Sequence, residues 1–125
     1  MDNLITMAES VREASRKLAL ENSDKKNAAL TAMADSLIAS KDYILEANTR
    51  DIERGRSNGM SEALLDRLAL SEARVNGMAE GVRQLIALPD PVGEVIESFE
   101  RPNGLVIEKV RVPFGVIGMI YEARP

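Results

Sequence analysis

The fold prediction depends on one stretch near the C-terminus, Pro113-Phe114-Gly115-Val116-Ile117-Gly118-Met119-Ile120. Its second half, Val116–Ile120, is apolar without alternation, which is typical of a strand inside a parallel sheet that is covered on both faces. Such a strand needs neighbouring strands, and only five residues follow it. We therefore expect Val116–Ile120 to begin an α/β sheet whose other strands lie outside these 125 residues.

A β-hairpin is predicted just before this stretch. Strand-forming residues cluster on both sides of Arg101-Pro102-Asn103-Gly104. That tetrapeptide has proline at the second and glycine at the fourth position, as β-turns favour. Pro113 is expected to end the second strand.

The residues before Pro91 predict helices, because apolar side chains recur at three- and four-residue steps. Ser23, Ser40 and Ser71 are the expected N-caps of later helices, and Ser61–Leu68 fits two helical turns. Pro89 and Pro91 end the helical part. In the first helix the apolar stripe is Leu4, Met7, Val11, Ala14 and Leu18.

Composition excludes several function classes. The chain has no cysteine and no histidine, so it holds no disulfide, no thiolate nucleophile and no zinc site built on either residue. A net charge of −4 argues against a general binder of nucleic acid or of an anionic membrane, and leaves open a local basic pocket for a phosphate. No apolar run reaches the ~18 residues of a membrane span, and the N-terminus has no basic region followed by an apolar run, so we expect a cytoplasmic protein. We also expect no metal site.

Three polar or glycine-containing motifs favour structural roles. Asn48, near Asp51, is expected to make a buried hydrogen bond. Asp66 and Arg67 are expected to form a local ion pair that holds the following loop. The glycines of Gly115–Gly118 precede and interrupt a strand instead of following one, so they do not predict a phosphate-binding loop.

Three stretches together resemble one family. The C-terminal stretch continues as Tyr121-Glu122-Ala123-Arg124-Pro125, and with Asn48–Ile52 and Ser61–Leu68 it is similar to gamma-glutamyl phosphate reductases, a branch of the aldehyde dehydrogenase superfamily. The resemblance covers essentially the whole chain and implies an N-terminal fragment. The implied fold is α/β and aldehyde-dehydrogenase-like, with a helical segment (1–91), a hairpin for oligomerisation (92–113) and the start of a Rossmann-like, NADPH-binding domain (114–125).

The resemblance also implies a reaction. Such enzymes are oxidoreductases that reduce L-glutamyl 5-phosphate with NADPH to L-glutamate 5-semialdehyde and phosphate, the second step of proline biosynthesis from glutamate. The nucleophilic cysteine and the oxyanion-binding asparagine of the family lie beyond Pro125, so the chain is expected to contain no catalytic residue and to be inactive alone. Implied partners are further copies of the chain, bound through the hairpin, and glutamate 5-kinase.

The resemblance places Ile120, Tyr121 and Glu122 beside the cofactor and Arg124 near the phosphate or carboxylate of the substrate. The guanidinium group of arginine offers a fork of donors for such anions. The structural alternative is a solvated pair of Glu122 and Arg124 at a frayed end. At the level of the whole chain, the alternative is a stand-alone helical module for protein interaction, which would need a closed core.

Overall fold

The computed structural model describes residues 2–120 and contains, in this range, five helices followed by two strands. This order confirms the predicted sequence of helices and hairpin. The elements fall into two compact units, one with α1 and the hairpin and the other with α2–α5. Their bounds are α1 Asp2–Leu18, α2 Ser23–Ala39, α3 Lys41–Ser57, α4 Glu62–Leu68, α5 Glu72–Ile86, β1 Val95–Glu100 and β2 Val106–Val110.

Ser40 and Ser71 stand at the predicted N-cap positions, whereas Ser23 is the first residue of α2 itself, so its predicted N-cap position is wrong by one residue. Ser71 caps α5, because its Oγ accepts a hydrogen bond from the Arg74 N–H at 3.2 Å. Ser40 stands at the N-cap position of α3 without a side-chain cap bond. It is the single residue between α2 and α3: its N–H donates to the Ser36 carbonyl, and its own carbonyl accepts from the Ile44 N–H. Main-chain bonding therefore continues from α2 into α3.

The core of the α2–α5 unit is small. Among the described residues, the buried apolar side chains are Ala34 of α2, Leu65 of α4, and Val75 and Ala79 of α5. Polar contacts also join the helices of this unit, such as the ion pair of Arg83 in α5 with Asp35 in α2. Many large apolar side chains remain exposed, including Met33 at 56%.

The hairpin has the predicted turn. The strands pair antiparallel, with Phe99 opposite Ile107, and the Gly104 N–H donates to the Arg101 carbonyl at 2.8 Å. Gly104 has φ +80°, a left-handed conformation that favours glycine. The register shifts between Val95 and Glu97, so β1 carries a bulge.

The predicted strand Val116–Ile120 is not formed, and that expectation is corrected here. Residues 111–120 belong to no helix or strand, and the apolar side chains of Val116, Ile117, Met119 and Ile120 are all exposed. The physical reason is that a strand is defined by its hydrogen bonds to a neighbouring strand. The only strands among the described residues, β1 and β2, pair with each other.

Within residues 2–120, no helix combines the length and the apolar character that crossing a lipid bilayer requires.

Candidate functional site

The predicted ligand-binding residues lie at the C-terminal end of the chain. Ile120 is fully exposed and belongs to no strand. Tyr121, Glu122 and Arg124 lie outside the described residues. An exposed isoleucine offers a nucleotide only van der Waals contact and main-chain hydrogen bonds, so the selectivity expected of this site depends on the other three residues.

Hydrogen bonds hold the chain at Arg111, where it leaves the second strand of the hairpin. The Arg111 N–H donates to the Glu94 carbonyl, and the Gly93 N–H donates to the Arg111 carbonyl, both at 2.9 Å. The Arg111 guanidinium also pairs with the Glu94 carboxylate at 2.7 Å. Next, Gly115 turns the chain with φ +85°. These bonds join Arg111 to the residues before β1 and so orient the start of the C-terminal segment.

A cleft of about 340 Å3 lies beside this path, lined by Pro91, Val92, Arg111, Val112, Pro113 and Phe114. Its walls are mostly apolar. Arg111, its one charged lining residue, is already paired with Glu94. The cleft therefore suits an apolar group better than a phosphate.

The one resolved pKa shift among the described residues belongs to an ion pair between two helices. Hydrogen bonding and charge attraction from Lys41 lower the pKa of the Glu72 carboxyl group below its ordinary value of 4.5. This pair joins the start of α3 to the start of α5. Residues 2–120 contain no group of three or more acidic side chains placed to hold a metal ion. A carboxylate kept ionised by a lysine is a poor proton donor near neutral pH.

Asn48 makes the buried hydrogen bonds that the sequence predicted. Its side chain is 8% exposed, its Nδ2 donates to the Leu68 carbonyl at 2.9 Å, and its Oδ1 accepts from the Leu70 N–H at 2.8 Å. Leu68 is the last residue of α4, and Leu70 belongs to the connection between α4 and α5. One amide thus satisfies a main-chain acceptor and a main-chain donor at that connection.

The same connection shows a residue that the sequence reasoning missed. Arg74 of α5 donates through Nη1 to the carbonyls of Asp66 and Ala69. The predicted ion pair of Asp66 with Arg67 is absent from residues 2–120, so that expectation is wrong. Arg74 has no local sequence signal, because its partners are main-chain carbonyls that only the path of the chain brings near it.

A second concave surface, the α2–α3 groove, lies in the helical unit. It has a volume of about 520 Å3 and is lined by Ala32, Met33, Ser36, Leu37, Ser40 and Ile44. None of these side chains is charged. The groove can therefore accept an apolar group and offers nothing to balance an ionic one.

Comparison with known proteins identifies relatives for the whole chain. No protein-family model matches the sequence. All 125 residues align with a protein named gamma-glutamyl phosphate reductase from Bacillus mycoides at 53% identity. Proteins of the same name from Anoxybacillus flavithermus and Desulforamulus reducens are 51% and 52% identical over the same 125 residues. The chain spans 30% of the length of each of these relatives, at their N-terminal end.

Two solved structures of proteins with the same name are similar to this chain. A crystal structure of gamma-glutamyl phosphate reductase from Thermotoga maritima matches 88% of this chain with a TM-score of 0.85 and 44% identity. The corresponding structure from Saccharomyces cerevisiae matches 86% of the chain with a TM-score of 0.80 and 29% identity. The matched regions are 27% and 28% of those proteins. These matches confirm the predicted aldehyde-dehydrogenase-like fold and the resemblance noted from the sequence.

Proposed function

We propose that this chain is the N-terminal part of a gamma-glutamyl phosphate reductase and serves the NADPH-dependent reduction of L-glutamyl 5-phosphate. The observation that carries the proposal is the 53% identity to the Bacillus mycoides reductase across all 125 residues. The structural match to the Thermotoga maritima enzyme, with a TM-score of 0.85, supports it independently. Similarity to a reductase over all 125 residues of this chain is not expected of a stand-alone interaction module.

The proposed reaction has two steps. A cysteine thiolate displaces phosphate from the acyl phosphate and forms a thioester. NADPH, when bound, would supply the hydride that reduces the acyl carbon as the carbon–sulfur bond breaks, which would release L-glutamate 5-semialdehyde and restore the thiolate. This chain has no cysteine, so the nucleophile must come from the polypeptide that follows the matched region. We expect the 125-residue chain alone to show no reductase turnover.

The part assigned to this chain is to begin the nucleotide-binding domain at residues 114–125. Ile120, Tyr121 and Glu122 are proposed to contact the cofactor, and Arg124 is proposed to bind the phosphate or carboxylate of the substrate. These roles separate kinetically. In a chimera that joins this chain to the rest of a reductase, we expect Arg124→Ala to raise the KM for the acyl phosphate and Glu122→Gln to raise the KM for NADPH. Each substitution should leave the other KM near its original value.

The remaining assignments concern the hairpin and the surroundings of the enzyme. Residues 92–113 are proposed to join copies of the protein into an oligomer, in line with the exposed apolar side chains of Phe99 and Val106 on the strands. Residues 1–91 are proposed to form the helical segment of the enzyme. A cytoplasmic location and contact with glutamate 5-kinase complete the proposal.

A chimera tests the function directly. This chain replaces the matched 125 residues of the Bacillus mycoides reductase, and turnover is followed by NADPH consumption with L-glutamyl 5-phosphate. We expect turnover near that of the intact relative. The controls are this chain alone and the relative without its matched region, both expected to be inactive. A well-folded chimera that fails to turn over, beside an active intact relative, contradicts the proposal.

A further inference from the structure

Three Asn-Gly pairs in the chain carry the same reactive chemistry: Asn58-Gly59, Asn76-Gly77 and Asn103-Gly104. In such a pair the main-chain nitrogen of glycine can attack the side-chain carbonyl carbon of asparagine, because glycine has no Cβ atom to hinder the approach. The carbon–nitrogen bond of the side-chain amide breaks, ammonia leaves with the proton of the glycine nitrogen, and a cyclic imide remains. Water then opens the imide to aspartate or to isoaspartate, in which the main chain runs through the former side chain.

The pair in the hairpin turn is arranged for this attack. The Asn103 Oδ1 accepts a hydrogen bond from the Leu105 N–H at 3.2 Å, so the side chain reaches towards the residues that follow it. Negative charge develops on this oxygen when the Gly104 nitrogen attacks, and the Leu105 N–H is already placed to stabilise that charge. The turn therefore supplies both an oriented side chain and an oxyanion donor.

One hydrogen bond in the turn opposes the attack. The Gly104 N–H donates to the Arg101 carbonyl at 2.8 Å, and the nitrogen must leave this bond before it can act as a nucleophile. Opening of the hairpin frees the nitrogen, and a two-stranded hairpin without further packing is only marginally stable. Both strands are exposed along their whole length, and in the described part of the chain they pair only with each other.

The pair in α5 is held most firmly. Asn76 and Gly77 lie inside the helix. The neighbouring Val75 and Ala79 are fully buried in the α2–α5 unit. In a helix the glycine N–H is bonded to the carbonyl four residues earlier, so the attack requires that α5 unwinds and exposes these buried side chains. We therefore expect the Asn76-Gly77 pair to react most slowly.

The pair at the end of α3 is also restrained. The Gly59 N–H donates to the Arg56 carbonyl at 3.1 Å. The Met60 N–H donates to the Gly55 carbonyl at 3.0 Å, and the two bonds together close the helix end. Opening them would also move Met60 away from Gly55, beside which its Sδ atom packs. The Asn58 side chain makes no hydrogen bond within the described residues, so no donor is placed to stabilise its oxyanion.

We propose that Asn103 is a site of spontaneous deamidation, at which the Gly104 nitrogen attacks the Asn103 side chain and water completes the conversion. The isoaspartate product lengthens the main chain of the turn. Because the length of the connection sets the register of a hairpin, the longer turn loosens the pairing of β1 with β2. The reaction needs no enzyme and does not depend on the proposed reductase activity.

Ageing of the 125-residue chain tests the site, since each Asn-Gly pair falls in a different tryptic peptide. The protein is kept warm at mildly alkaline pH, and circular dichroism checks that the helices remain folded. Mass spectrometry follows conversion at the three pairs in one sample, and an isoaspartyl methyltransferase identifies isoaspartate. We expect Asn103 to react at least roughly tenfold faster than Asn76, because opening a hairpin costs less free energy than unwinding a packed helix. A matched sample in concentrated urea should convert all three pairs at similar rates.

A second readout follows the hairpin itself. In the aged protein, hydrogen exchange of the Arg101 amide, which donates to the Leu105 carbonyl, should become faster. Asn103→Gln keeps a side-chain amide but would have to close a larger ring, so this variant should age without that change. Equal conversion at Asn103 and Asn76 in the folded protein, or conversion led by Asn58, overturns the proposal. Conversion at Asn103 that leaves the Arg101 amide fully protected contradicts the loss of strand pairing.

Discussion

Gly55 of α3 and Leu65 of α4 lie so close that a Cβ atom on Gly55 would stand 3.2 Å from the Leu65 Cδ2. The Met60 Sδ would be 3.3 Å away from the same Cβ atom. Leu65 is buried, so it has little room to move. The absence of a side chain at position 55 therefore lets α3 and α4 pack against each other.

This contact predicts different effects on stability for the same substitution at two glycines. Gly81→Ala in α5 meets no atom within 4 Å and should stabilise the protein by about 1 kcal/mol through helix propensity. Gly55→Ala gains the same propensity, but overpacking costs about 1–3 kcal/mol. We expect Gly55→Ala to be the less stable variant by at least about 1 kcal/mol in urea unfolding. Equal stabilities of the two variants would show that Leu65 and Met60 can move away from a side chain at position 55.

The two hydrogen bonds of Asn48 predict a large effect for a small substitution. Asn48→Ala leaves the Leu68 carbonyl and the Leu70 N–H without their partner in a half-buried connection. We expect a loss of about 1–3 kcal/mol of unfolding free energy, measured by urea unfolding. The control is Thr49→Ala, which removes an exposed hydroxyl bonded within its own helix and should change stability by about 0.5 kcal/mol or less.

The left-handed backbone conformation of Gly104 predicts that a substitution there weakens the hairpin. Gly104→Ala places a Cβ on a residue with φ +80° and should weaken the hairpin by roughly 1–2 kcal/mol. Hydrogen exchange of the Arg101 amide, which donates to the Leu105 carbonyl, is the readout and should become faster. Gly118→Ala, which meets no atom within 4 Å, should leave that rate unchanged.

The pairing of Glu72 with Lys41 predicts a pH dependence. Pairing lowers the pKa of the Glu72 carboxyl below 4.5, so its contribution to stability is complete above that value and is lost as the pH falls through the lowered pKa. In Lys41→Met the titration midpoint of this carboxyl, followed by NMR, should move up towards 4.5. A midpoint that is the same in both proteins would show that the pair does not form in solution.

Local signals were enough to predict the elements. Helical periodicity, the capping residue Ser71, the two prolines after α5 and the turn Arg101–Gly104 all act between residues close in sequence, and the structure shows each of them. The similarity to reductases could also be noted from the sequence, because it depends on residue identities alone. The ligand-binding role of Arg124 remains a prediction, since this residue lies outside the described part of the chain.

The sequence by itself thus determined the order of helices and hairpin and the fold class. Only the tertiary structure decided that Asn48 and Arg74 hold the connection between α4 and α5, that Gly55 permits a close helix contact, and that Val116–Ile120 forms no strand here. The physical reason is the range of the interactions. Capping and periodicity act within a few residues, whereas strand pairing and close packing require partners that the fold must bring together from distant parts of the polypeptide.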